Sequence, residues 1–183
     1  MVGIITEGQT WDLVRFEGDG VIGLESDEEL RHYTYQVAGC VGEFWTEIGF
    51  GTDEDFATRP EAEMNALGQA YGRSLQLINI LRDVPEDLAN GRCYLPNART
   101  RDELMAARGP WIDEAMAGLN SAQTYAESLN GKRMRFASIL PALIGRETLL
   151  RLRDCSWDEW ARKIKVSRSE VKSMMWQAAR FAL

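Results

Sequence analysis

"LQLINILRDVPEDLANGRCYLP", Leu75 to Pro96, reads as a greasy helix that carries a polar column. Leu75, Leu77, Ile78, Ile80, Leu81 and Val84 supply apolar surface over most of its circumference. Gln76, Asn79, Asp83 and Asp87 interrupt that surface at spacings of three, four and four. A helix turns about 100° per residue, so these four residues share a stripe. Two carboxylates one turn apart, buried and unpaired, raise each other's pKa or cost several kcal/mol. A divalent cation removes that cost. Asn79, Asp83 and Asp87 offer hard oxygen ligands, which suit Mg²⁺ rather than zinc. The competing reading is a solvated acidic helix end, and the spacing alone does not choose between them. Pro85 sits between the acids and removes one backbone bond, so Asp87 is less firmly placed on the stripe than Asp83. Arg82 and Arg92 divide in the same way. They either hold diphosphate oxygens in charge-assisted hydrogen bonds or pair with Glu86 and Asp87 at the surface.

The rest of the chain bounds the answer. With 183 residues, 45% apolar and 27% charged, it is long and greasy enough to build a core. The net charge of -7 argues against a nucleic-acid partner, which needs a basic footprint. Three cysteines far apart, Cys40, Cys93 and Cys155, and a single histidine, His32, give no disulfide framework or zinc-ligand spacing. A reducing cytoplasm is the expected location. No stretch of about 18 apolar residues is present to span a membrane.

Helix signals recur and strand alternation does not. Four segments carry Ser or Thr followed three residues later by Glu: Ser26/Glu29, Thr58/Glu61, Thr100/Glu103 and Ser167/Glu170. The expected order is a short helical piece in 1–14, a Gly-rich loop over 15–25, and long helices over 27–49 and from 59 to 84 or slightly beyond. A turn at 90–92 follows. A short helix over 101–108 and a separate one from Pro110 to about 129 come next, with Pro110 at a first-turn position. A helix over 132–153 kinked at Pro141 and short helices over 156–163 and 168–182 close the chain. The fold class is all-α, a bundle of about six to eight helices in a single domain, 1–183.

A second stretch is unusual. "YTYQVAGCVGEF", Tyr33 to Phe44, places Ala38, Gly39, Cys40 and Gly42 in mid-helix, where each glycine costs about 0.5–1 kcal/mol relative to alanine. Small residues admit a close neighbour. The plainer candidate is a crossing helix. The other is an elongated apolar ligand along Tyr33, Val37 and Val41, which share a stripe by i,i+4 spacing.

Together, "YxxxVAGxVG" and "LQLINILRDVxED…GRxYLP" resemble the squalene/phytoene synthase family of all-α, Mg²⁺-dependent head-to-head prenyl synthases. The resemblance extends over roughly residues 4 to 175. It includes "EGQTWDL" at 7–13 and "RFASILPALIGRETLLRL" at 135–152, the latter more similar to the squalene branch. It implies that Asp83 and Asp87 are the second aspartate-rich motif, which binds the metal–diphosphate cluster, with Asn79 and Gln76 as its polar partners. Arg82, Arg92 and Tyr94 would line the diphosphate end. Tyr33 would act in the first half-reaction. Val37, Ala38, Val41 and Gly42 would wall the prenyl tunnel. The implied substrates are two farnesyl or geranylgeranyl diphosphates, joined through a cyclopropyl intermediate. NADPH supplies hydride if the product is squalene.

The family's first aspartate-rich motif has no counterpart here. "DEDF" at 53–56 falls in an inter-helix loop, where its acids are expected to be solvated. The chain is therefore read as a fragment, as half of a split enzyme, or as a non-catalytic isoprenoid-binding or assembly relative. Little or no turnover by the isolated chain is expected. Missing helices imply bare apolar faces, hence a second chain or self-association. Trp157, Trp160, Lys163 and Lys165 form a basic-aromatic stretch with two readings, a solvated helix or peripheral contact with the inner membrane face.

Overall fold

The computed structural model describes residues 1–183. Eight α-helices follow in order: α1 (Val2–Arg15), α2 (Asp27–Thr34), α3 (Cys40–Thr52), α4 (Glu61–Ala89), α5 (Arg101–Ser128), α6 (Lys132–Asp154), α7 (Trp157–Ala161) and α8 (Arg168–Phe181). The all-α expectation holds. One departure is a pair of two-residue strands, β1 (Ile22–Gly23) and β2 (Arg92–Cys93), paired in parallel. They tie the Gly-rich loop to the turn after α4, a link too short for sequence alternation to reveal. No helix is long and apolar enough to cross a membrane.

The core forms where α4 packs against α5 and α3, and α5 against α6. Leu30, Leu77, Ile78, Leu81, Leu104, Ile112, Leu119, Leu149 and Trp160 belong to one buried apolar cluster. The helix starts show how far capping patterns carry. Ser26, Thr100 and Ser167 each accept the backbone N–H of the Glu three residues on. Thr58 does not cap; its hydroxyl donates to the Ser128 carbonyl, and α4 starts after Pro60 instead. Ser156 with Glu159 forms a full capping box that the sequence reading passed over.

Proline placement is the main correction. Residues 101–128 form one helix, not two, with Pro110 inside it. Leu104, Trp111 and Ile112 flank the break point in the core, and this burial outweighs one lost bond. Pro141 lies inside an unbroken α6, and Pro85 inside an unbroken α4. The Pro85 case has a visible compensation. A proline at 85 leaves the carbonyl of Leu81 without its helical N–H partner. The buried indole of Trp160 donates to that carbonyl at 2.8 Å. Trp160 is thus core, not part of a membrane-facing stretch.

The small residues of the second motif meet α4 backbone to backbone. A Cβ on Gly42 would lie 2.0 Å from the Gly68 carbonyl oxygen, and one on Gly72 would lie 2.3 Å from that of Ala38. The crossing-helix reading of Gly42 is therefore correct. Between α2 and α3 the chain widens into a π-turn over Tyr35–Gly39. That extra residue breaks the expected stripe of Tyr33, Val37 and Val41.

Replacing Trp160 by Phe leaves the Leu81 carbonyl buried and unpaired, with an expected loss of about 1–3 kcal/mol in denaturant unfolding. Adding Pro85→Ala restores a helical N–H and recovers much of that loss. A double variant no more stable than Trp160→Phe alone would refute the compensation.

Candidate active site

Two regions build the site, a groove lined in part by α4 and an aromatic nest from α1, α2 and the segment after α4. The first is an apolar groove of about 420 Å³. Val37, Ala38, Val41, Gly42 and Trp45 wall it from the π-turn and α3; Gly68, Tyr71, Gly72, Leu75, Gln76 and Asn79 line it from α4; Tyr125, Ala137, Ser138 and Pro141 complete it. The glycine crossing therefore forms its floor, so the crossing helix and an open apolar groove occur at the same small residues. The groove has a direction. Gln76 and Asn79 supply amides at one end. At the other, the hydroxyls of Tyr125 and Thr46 are 2.9 Å apart, and a Cβ on Gly68 would touch Thr46.

The second region is a polar and aromatic nest. Tyr33 and Tyr94 stack with ring centres 5.4 Å apart, and Trp11 lies 5.3 Å from Tyr33. Phe16 packs edge-on against Tyr94 at 4.8 Å. The Tyr94 hydroxyl donates to Asp12 at 2.5 Å, and Arg92 reaches the same carboxylate at 3.2 Å. The Arg92 guanidinium also lies 5.8 Å from the Phe16 ring centre. β2 holds Arg92 and delivers Tyr94 directly after it, which gives the short β-pairing its role.

The polar column is split between these regions. Asn79 and Gln76 open on the groove. Asp83 instead receives two hydrogen bonds from its neighbour Arg82, at 2.9 and 2.5 Å. Beside this pair lie Lys163, which binds Glu86 at 2.7 Å, and Val166. Neither surface pairing expected for the arginines occurs: Arg82 pairs with Asp83, and Arg92 with Asp12. Asp87, held in the helix despite Pro85, is partly buried. Burial first, then the charge of Asp83, pushes its pKa up to about 6, against a pull downward from Arg92. Burial and Asp12 likewise raise the Tyr33 hydroxyl to about 12. Tyr94 is raised by burial and by its bond to Asp12. Tyr33 sits in the nest rather than on the groove wall, because the π-turn re-aims the chain beyond it.

Asp12, Trp11 and Phe16 escaped the sequence reading. "EGQTWDL" contains the first two, yet nothing local marks Asp12 as a partner for residues some eighty positions away. The acids at 53–55 are exposed, as expected, and so is His32. All three cysteines are buried thiols.

No three His, Cys, Asp or Glu side chains gather closely enough to hold a metal ion unaided. The donor set still suits Mg²⁺, which takes one or two carboxylates and completes its shell with water and phosphate oxygens. Burial first, and then the charge of Asp83, disfavours an ionised Asp87, a cost that a bound cation would remove.

The structure is an all-α bundle with an apolar groove that ends in two amides, with acids and arginines further along the same helix and in the turn after it. A profile of the squalene/phytoene synthase family matches residues 2–170. The chain belongs to the squalene/phytoene synthase family. It is 35% identical over 162 residues to the phytoene synthase of Thermus thermophilus, an alignment covering 79% of this chain and 51% of that protein. It is 44% identical over 78 residues to the 4,4'-diapophytoene synthase of Staphylococcus haemolyticus, covering 43% of this chain and 25% of that one. A solved dehydrosqualene synthase, in complex with ligand, shares the fold with a TM-score of 0.74 and 23% identity, over 97% of this chain and 63% of that one. The chain thus spans about half the length of the Thermus relative.

The raised Asp87 gives a pH signature. The folded state holds the proton up to about pH 6, whereas an ordinary aspartate releases it near 3.8. Stability therefore falls as pH rises from about 4 to about 6. Asp87→Asn removes that slope and gains about 1 kcal/mol at pH 8, after allowance for partial solvent screening. Denaturant unfolding across this range checks it; an unchanged slope would refute it.

Proposed function

We propose that this chain holds the prenyl tail and the diphosphate head in an enzyme that joins two prenyl diphosphates head to head. One observation carries the reading. Along α4, Gln76 and Asn79 line the apolar groove, and within the next two turns follow Asp83, paired with Arg82, and the partly buried Asp87 near Arg92. A greasy tail with a doubly charged head needs that juxtaposition and little else does.

Asn79, Asp83 and Asp87 would hold Mg²⁺, which when bound supplies charge neutralisation for the departing diphosphate. The chain's own residues do the remainder. Arg92 offers donors to diphosphate oxygens, and Arg82 does so once it leaves Asp83. Tyr33, Tyr94, Trp11 and Phe16 cluster near the head, where a ring face turned toward a developing allylic cation stabilises it through the aromatic quadrupole. Val37, Val41, Leu75 and Pro141 keep water from the tail, which protects that cation from capture.

On the product, the finer proposal is the squalene branch, carried by residues 135–152, with NADPH as hydride donor. The matched relatives are named phytoene and diapophytoene synthases, which favours a second reading, a product formed without hydride. In an enzyme complex that turns over, C30 product analysis with and without NADPH separates the two. A squalene-branch enzyme gives squalene only when NADPH is present. An identical product under both conditions rejects that branch.

The remaining structural partner is proposed from α3. Val41, Phe44, Trp45 and Ile48 repeat at helical spacing and are 37–48% exposed. This is the face for further helices of the family fold, or for a second chain. Peripheral contact with the inner face of a membrane stays part of the proposal, as does a cytoplasmic setting.

A thiolo analogue of farnesyl diphosphate, resistant to ionisation, is expected to raise the melting temperature by several degrees with Mg²⁺ and by little without it. Asp83→Ala abolishes the metal-dependent part. A non-catalytic assembly subunit predicts no response to metal and analogue, and that result would overturn the proposal.

A further inference from the structure

We propose that the chain carries a second oxyanion site, for a phosphate or diphosphate group, in a cleft that Arg73 and Arg31 line together between α2, α4 and α5. The cleft has a volume of about 400 Å³ and shares no lining residue with the apolar groove. Ala70, Arg73, Ser74 and Leu77 line it from α4. Helix spacing puts them on the face opposite the groove-lining Tyr71, Gly72 and Leu75. The site is therefore separate from the prenyl-binding reading and stands without it.

Arg73 carries the argument. Every other partly buried arginine of the chain has a hydrogen bond or an ion pair, and Arg73 has neither. A guanidinium group offers five N–H donors in a planar fork, and the ligand that matches the fork is an oxyanion. The stem of Arg73 is braced: a Cβ on Gly39 would lie 2.9 Å from its Cγ, so the side chain leans on the π-turn. Arg31 supplies a second fork. Its Nε and Nη2 hold the Glu114 carboxylate at 2.9–3.2 Å, so an oxyanion of the chain itself already stands against it. Asp27 lies 3.7 Å away. The side chains of Arg31 and Glu114 are 41% and 38% exposed, and an ion pair in that setting is weak enough for an arriving dianion to displace. The hydroxyls of Thr34 and Ser74 are spent on the carbonyls of Arg31 and Ala115. The two guanidinium groups and Ser121 are left to recognise a ligand, which favours a charged group over a neutral one.

The test is titration of the full chain with inorganic phosphate and, separately, inorganic diphosphate, in the presence of EDTA. It is followed by NMR at the arginine side-chain N–H signals, assigned through Arg73→Lys and Arg31→Lys. The Arg73 and Arg31 signals are expected to shift together and saturate at one concentration, and the tighter of the two anions identifies the group the cleft takes. Arg73→Met is expected to weaken binding at least tenfold and Arg73→Lys to weaken it in part, which keeps the test open should the methionine variant fold poorly. Glu114→Gln removes the competing carboxylate and is expected to tighten binding severalfold, an effect that an arginine with only a packing role does not produce. Shifts confined to Arg82 and Arg92, or no shift at millimolar anion, overturn the inference. So does an affinity unchanged by both Arg73 substitutions, or one that falls in Glu114→Gln.

Discussion

Two helix backbones touch where α3 crosses α4, and the functional regions are arranged around that contact. Gly42, Gly68, Gly72 and Ala38 leave no side-chain layer between the helices. Each mid-helix glycine is unfavourable by propensity, by about 1 kcal/mol relative to alanine. The return is a shallow floor onto which larger residues, Val37, Val41, Leu75 and Tyr71, lean from both sides as walls. A wider crossing filled by leucines would be a more ordinary core and would have no groove.

The same helix then has to carry charge into a partly buried place. α4 manages this by distributing its polar groups among different partners. Arg82 neutralises Asp83 across one residue of sequence, and Lys163 covers Glu86 from the loop after α7. Asp87 has no ion-pair partner, and burial first, then the charge of Asp83, raises its pKa. Close by, Asp12 anchors Arg92 and Tyr94, so the aromatic stack is fixed by a charged hydrogen-bond pair rather than by packing alone. Ion pairing of this kind keeps clustered charge from unfolding its own helix.

Helix identity and the polar column were readable because both rest on local periodicity, and α4 bears out the pattern over its whole length. The short-range rule failed where tertiary contacts supplied what the local chain lacked. Gly109-Pro110 reads as a start signal, yet buried Trp111 and Ile112 carry α5 straight through it. Thr58 has a capping sequence and spends its hydroxyl on Ser128 instead. In the site, Val37, Ala38, Val41, Gly42, Gln76 and Asn79 line one groove, a meeting of two stretches that the family resemblance implied and spacing alone did not. Tyr33 was expected among them, and a π-turn of one extra residue, invisible to a 3.6-residue period, moved it to the aromatic nest. Asp12 was out of reach for a different reason: its role exists only through a partner brought near by the fold.

Trp160 has a wider meaning than its single bond to Leu81. A proline near the C-terminal end of α4 is a defect repaired from outside, by a residue on a different helix. Losing the indole alone orphans a carbonyl; restoring an N–H at position 85 alone leaves a buried indole donor with a competitor. Each substitution is thus disfavoured until the other has occurred, which ties the two positions into one inherited unit. Descendant sequences are expected to keep both residues or exchange both, so the pairing would appear as covariation between α4 and the short helix α7.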